Sequence, residues 1–244
     1  MNPNDIYFDG MYKDIWRTLI PEDFTIRETE FLMKHFELGP TSQVLDLMCG
    51  YGRHSLALAR KGVNLHSIDN LKEYTEEITK IAQAEDLPVH VVNANVLDHK
   101  FSQQFDLAIC MGNSLNFFSG NDVRRLVESL PLKSGAALVI NTWSLLEIAC
   151  KEFVSKSWTE VDGVKFLSDS VFKFHPTRIE TNTIMIDSAS NVENKLAIDY
   201  LFSINELEEI FRESSFTLKG VYSVPAKRVF AFGDPRAYLI ATKD

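Results

Sequence analysis

The chain has 244 residues, 45% of them hydrophobic and 24% charged, which suits one globular domain with a substantial core. Its net charge of -9, from 25 Lys and Arg against 34 Asp and Glu, disfavours a nucleic-acid backbone as partner, because that affinity comes from clustered cations. No apolar run approaches the roughly 20 residues that cross a bilayer, the N-terminus MNPNDIYFDG has no basic region followed by an apolar core, and Cys49, Cys110 and Cys150 form neither a CxxC pair nor a metal-ligand cluster. We therefore expect a cytoplasmic protein with reduced thiols and no metal, acting on a small molecule rather than on nucleic acid or membrane.

In chain order, Thr25-Ile-Arg-Glu28 reads as a capping box, with Thr29, Leu32, Met33 and Phe36 on one helical face and Gly39-Pro40 as the stop. Val44, Leu45 and Leu47 form a short apolar strand, and Gly52 to Lys61 continues as a helix closed by Gly62. The alternation repeats: strand Val63 to Asp69, then Asn70-Leu-Lys-Glu73 capping a helix with Leu71, Tyr74, Ile78 and Ile81 as its stripe, ended by Pro88. Strands Val89 to Ala94 and Phe105 to Met111 follow. A helix with Val123, Leu126, Val127 and Leu130 on one face then leads to strand Ala136 to Thr142. Such alternation predicts an α/β fold, a mostly parallel sheet with helices on both faces, and unbroken apolar strands such as LAIC fit burial on both sides.

From Trp143 to Phe202 the pattern changes to a short helix and threonine- and aromatic-rich segments punctuated at Gly163, His175-Pro176 and Ser190-Asn191, which read as antiparallel strands. Ser203-Ile-Asn-Glu206 then caps a helix carrying Leu207, Ile210 and Phe211. Two last strands, Thr217 to Val224 and Ala237 to Thr242, form a hairpin around Gly233-Asp-Pro235. With no internal repeat, low-complexity tract or linker, residues 1–244 read as one domain.

Open parallel sheets bind ligands at the carboxyl ends of their strands, which here carry Asp46 to Arg53, Asp69, Asn95 and Met111 to Asn116. Gly50 and Gly52 allow a positive φ or a close approach of backbone to ligand. Asp69 ends the next strand, 17 positions after Gly52, where an acid accepts hydrogen bonds from both hydroxyls of a ribose. No GxxxxGK[ST] occurs, so the turn is shaped for a nucleoside without a large phosphate anchor.

Four segments in order carry a family resemblance: VLDLMCGYG, HSIDN, NANVLD and FDLAICMGNSLNFF. The chain resembles the class I S-adenosylmethionine-dependent methyltransferases over its first two thirds and its terminal hairpin. The resemblance implies a Rossmann-like seven-stranded sheet with an antiparallel last strand, an N-terminal helical lid over residues 1–40 and an inserted β cap over 143–202. It implies S-adenosylmethionine as cofactor and S-adenosylhomocysteine as product. The binding residues it implies are Asp46, Cys49, Gly50, Tyr51, Gly52 and Arg53, then Asp69 and Asn70, Asn95 and Val96 about the adenine, and Met111 and Gly112 on the methyl-transfer face. Met48 stands where the family usually has its opening glycine, and Asn95 where an acid often accepts from the adenine amino group.

The CGxGRHS form of the turn resembles a branch acting on small molecules, and GNSLNFF lacks the N/D-PP-Y/F pattern of enzymes that methylate adenine or glutamine amides. Substrate contacts are expected among Tyr12, Trp16, Asn113, Asn116, Phe117, Trp143, His175, Tyr200 and Arg228. His54, His175 and Asp69 are the candidate bases, and a homodimer is compatible with the reading. Arg53 either pairs with a carboxylate of cofactor or substrate or lies on the helix surface. Two rivals are a nicotinamide-dependent dehydrogenase, whose third glycine or alanine is replaced here by Ser55, and a noncatalytic module of the same fold.

Overall fold

A computed structural model describes residues 2–225 and 227–244. A 3-10 turn (Pro3–Ile6) and helices α1 (Gly10–Leu19) and α2 (Glu22–His35) precede the units β1 (Gln43–Leu47), α3 (Arg53–Ala59), β2 (Asn64–Asp69), α4 (Lys72–Ala84) and β3 (Val89–Asn93). Then come β4 (Phe105–Cys110), α5 (Gly120–Ser129), β5 (Leu132–Thr142) and α6 (Leu146–Glu152). Strands β6 (Lys156–Val161), β7 (Val164–Phe174), β8 (Thr177–Ile186) and β9 (Val192–Tyr200) form a cap. Helix α7 (Ile204–Glu213), β10 (Phe216–Val224), β11 (Arg228–Val229) and β12 (Ala237–Lys243) close the chain.

The main sheet runs β11-β10-β12-β5-β4-β1-β2-β3. Strands β1 to β5 are parallel, and β12 lies antiparallel between β5 and β10. It holds the seven strands expected plus the two-residue edge strand β11, too short for any alternation to reveal. Because β1 pairs with β2 on one side and with β4 on the other, the order reverses at β1. That reversal splays the flanking connections and opens a crevice at the strand carboxyl ends.

Successive residues of a strand point to opposite faces, and here both faces are covered. Leu45, Leu47 and Ile140 pack with Val123 and Leu126 of α5 and with Leu207 and Phe211 of α7. Val44, Leu107 and Val139 pack on the other face with Leu32 of α2 and Leu58 of α3. The cap is a separate antiparallel meander of β6 to β9, and Ile15 of α1 packs on its Phe166 and Met185.

Two expected caps differ. Helix α2 starts at Glu22 behind Pro21, three residues before Thr25, which places Glu28 inside the helix, where it is buried. Helix α4 is preceded by Leu71 with no side-chain cap, because Asn70 instead donates to Asp5 Oδ1 at 2.8 Å. The capping box at Ser203 and Glu206 is formed as expected.

Candidate functional site

The segment after β1 follows a left-handed path, with φ of 48° at Met48, 56° at Gly50 and 77° at Gly52. Met48 thus holds a left-handed conformation that glycine enters without cost. The two glycines serve different ends. A Cβ on Gly50 would meet nothing within 4 Å, so that face is open to the crevice. A Cβ on Gly52 would lie 2.6 Å from Ile78 Cγ1 of α4, so packing of α4 against the turn already requires a glycine there. Its carbonyl accepts from Leu56 N at 2.8 Å and starts α3.

Asp69, at the end of β2, pins this turn: Oδ2 accepts from Gly50 N at 2.8 Å and Oδ1 from Leu71 N at 2.9 Å. Burial raises its carboxyl, and these backbone bonds pull it back. A carboxylate has about four lone-pair positions, so these bonds do not exhaust its capacity to accept. Asp46 is fully buried behind the turn and accepts from Ser55 Oγ at 2.6 Å, which in turn meets Ser67 Oγ at 2.7 Å. Burial pushes Asp46 up to about 7, against the opposing hydrogen bond from Ser55 and the charge of Arg53.

A cleft opens over these groups. It is lined by Asp46, Cys49, Gly50, Tyr51, Arg53, Asp69, Asn70, Asn95, Val96, Met111 and Gly112, every expected cofactor-side residue except Gly52. Asn2, Asn4, Asp5 and Phe8 line it too and were not foreseen. Their signal was the Asn2-Pro-Asn-Asp5 string, which forms a capping box around the first turn.

Of the residues expected to meet a substrate, Trp16 and Phe117 line the cleft, and a Cβ on Gly112 would come to 4.0 Å of the Trp16 ring. Tyr12 stacks on Trp16 at 6.0 Å, and Trp143 meets its other side at 5.9 Å, which extends an aromatic wall away from Gly112. Asn113 and Asn116 are spent on bracing. Asn113 Oδ1 accepts from Thr142 Oγ1, Trp143 N and Ser144 N, and Asn116 Nδ2 donates to the carbonyls of Ser144 and Tyr200. The structure does not bring the last three to the cleft. Tyr200 packs against the main core, His175 is exposed at the β7–β8 tip, and Arg228 pairs with Asp234 at 2.6 Å.

Comparison with known proteins bears on this geometry. Residues 44–131 match the family model described as Methyltransferase domain. A structure described as an S-adenosylmethionine-dependent methyltransferase from Clostridium acetobutylicum superposes with a TM-score of 0.80 at 14% identity, covering 96% of each chain. The chain has a methyltransferase fold.

Among curated proteins, this methyltransferase fold shares 28% identity over 134 residues with glycine/sarcosine N-methyltransferase of Aphanothece halophytica, covering 53% of the chain and 51% of that protein. It shares 33% over 69 residues with ubiquinone biosynthesis O-methyltransferase of Rickettsia typhi, covering 28% of each. The matches span about half or less of those relatives' own lengths.

Behind the methyltransferase turn lies a charged cluster that sequence reasoning missed. Glu28 Oε2 accepts from Arg53 at 2.6 Å and from His54 Nε2 at 2.9 Å, while Oε1 accepts from Tyr238 at 2.6 Å. Despite the opposing effect of burial, these partners hold Glu28 down at about 2, while burial and the charge of Arg53 pull His54 down against the upward pull of Glu28. Arg53 thus answers an internal carboxylate while it also lines the cleft, so it is not merely a helix-surface residue, and His54 is a structural partner of the same carboxylate. Among the described residues no group of His, Cys, Asp and Glu is arranged to hold a metal, and no helix is long and apolar enough to cross a membrane.

Proposed function

We propose that the protein transfers the methyl group of S-adenosylmethionine to a small-molecule acceptor by in-line displacement and releases S-adenosylhomocysteine. The observation that carries this reading is the pairing of Gly50, whose missing side chain leaves open space, with the Asp69 carboxylate, which lines the same cleft at the end of β2. The donor set suits a nucleoside: Asp69 for ribose hydroxyls, Asn95 and Val96 for the adenine, and the buried Asp46 for a cationic amino group, which would favour its ionised form. Bound there, the sulfonium supplies an electrophilic methyl carbon.

In this reading the protein mostly positions and desolvates, which is what a displacement at carbon requires. Trp16 and Phe117 shield the Gly112 side from water, and Asn113 and Asn116 hold the end of β5 against the cap. The relatives' names, one an N-methyltransferase and one an O-methyltransferase, support a small acceptor. Cytoplasmic residence, which three unpaired thiols support, and a homodimer belong to the same proposal. The test incubates the protein with S-adenosylmethionine and a panel of small amines, phenols and carboxylic acids and reads S-adenosylhomocysteine release. Acceptor-dependent release supports the proposal; binding without release for any acceptor class would mark a noncatalytic module.

A further inference from the structure

The cap carries one acid that neither the turn nor the charged cluster uses. Asp199 sits on β9, on the face that bears Ala197, with Tyr7 of the N-terminal segment and Tyr12 of α1 within electrostatic reach. Its Oδ1 accepts from Asn113 Nδ2 at 3.0 Å and from Ser144 Oγ at 3.2 Å. Among the described residues Oδ2 accepts nothing, yet it is not one of the sealed, unpartnered polar atoms, so it faces accessible space. A half-buried carboxylate with one oxygen tied down and the other open is held in one orientation with an acceptor left for a ligand.

What surrounds it says what that is. Asn113 follows Gly112, where Trp16 covers the methyl-transfer side of the cleft. Tyr7 and Tyr12, whose rings are 4.6 Å apart, lie within electrostatic reach of Asp199, and Tyr12 continues into the Trp16 and Trp143 stack. Aromatic faces around a lone carboxylate favour an organic ammonium over an alcohol or an anion, through cation–π attraction and ion pairing.

Resting on the methyltransferase reading above, we propose that Asp199 Oδ2 receives an N–H of the methyl acceptor, that the acceptor is a small primary or secondary amine, and that Asp199 takes its proton. The balance is simple. The ammonium gives one proton to the carboxylate, and the freed nitrogen lone pair forms the N–CH3 bond. The S–CH3 bond breaks with its electron pair going to sulfur, leaving the neutral thioether, and Asp199 passes the proton to solvent.

The titratable groups facing Asp199 are Tyr7 from the N-terminal turn and Tyr12 from α1, both raised by burial and neutral below pH 10. Arg178 and Glu180 of β8 flank its strand partner Ile179 but pair with each other. Asn113 and Ser144 carry no charge. Burial pushes Asp199 up to about 6, so an amine held by its carboxylate is lost as the pH falls through that value.

The test titrates benzylamine, phenethylamine and, as control, benzyl alcohol into the protein saturated with S-adenosylhomocysteine, read by tryptophan fluorescence, for the wild type and for Asp199→Asn. The isosteric amide can still accept from Asn113 and Ser144. We expect amine binding to the wild type that weakens at least tenfold in D199N and below pH 6, no binding of the alcohol, and S-adenosylhomocysteine affinities equal within about twofold. Equal amine affinities in the two proteins, no amine binding to either, or equal binding of the alcohol overturns the proposal while leaving the cofactor reading intact. Absence of S-adenosylhomocysteine binding to both proteins overturns the two together.

Discussion

Gly50 and Gly52 sit two residues apart, share a positive φ and have opposite jobs, and the difference is open to measurement. Gly50→Val places a side chain in the open cleft and should weaken S-adenosylhomocysteine binding at least tenfold, beyond the stability that a β-branched residue loses at a φ of 56°. Gly52→Ala drives a Cβ against Ile78 and should lower stability by about 1–3 kcal/mol, or 2–4 °C for each kcal/mol, with cofactor affinity nearly unchanged. The reverse pattern in melts and titrations would show that the turn is misassigned. Asp46 makes a second residue-scale claim. Its carboxyl is raised from 3.8 to about 7 in the folded state, so the native protein holds a proton there that the unfolded chain gives up between those values. Asp46 therefore costs stability as pH rises through that window. Asp46→Asn should make the ligand-free protein more stable at pH 8, by on the order of 1–3 kcal/mol, and the gain should vanish by about pH 4. A gain that does not change with pH in thermal melts would refute the raised carboxyl.

At the scale of elements, Glu28 is the joint that fixes α2 to the start of α3 and to β12, since Arg53, His54 and Tyr238 all donate to it. Its carboxyl is lowered from 4.5 to about 2, so its contribution is present above the unfolded value and is lost as pH falls through the folded one. Glu28→Gln should cost about 3 kcal/mol at pH 7, narrowing as the pH drops from 4.5 toward 2; denaturant melts across that range check it. Glu28 also shows where sequence reading stops. The βα units are legible because short unbroken apolar strands alternate with helices of period 3.6, and Asp69 and the turn are legible because both end strands. Thr25 and Glu28 have the local spacing of a cap, whereas the partners that bury Glu28 come from positions 53, 54 and 238, which no local pattern encodes. Asp199 escaped for the same reason: its setting is made by Asn113 and Ser144, far away in the chain. Strand β11 is two residues long, below the length at which alternation exists.

Over the whole molecule, two parts of the chain line one crevice and a third backs it. The main sheet supplies the strand ends, the N-terminal segment and α1 supply Asn4, Phe8 and Trp16, and the same N-terminal segment ties the sheet to the cap. Asn4 Nδ2 donates to the carbonyls of Phe117 and Ile198, Asn4 Oδ1 accepts from Ile198 N, and Asn70 donates to Asp5. A cleft closed by its own N-terminus suits a small, fully desolvated ligand better than a polymer, in keeping with the net charge of -9. The claim on which the rest depends is that this cleft holds S-adenosylmethionine. Calorimetric titration of the purified protein with S-adenosylhomocysteine, with NAD as the control, tests it most directly. We expect micromolar, one-to-one binding of S-adenosylhomocysteine and none of NAD; a folded protein that binds NAD, or neither, would contradict the assignment.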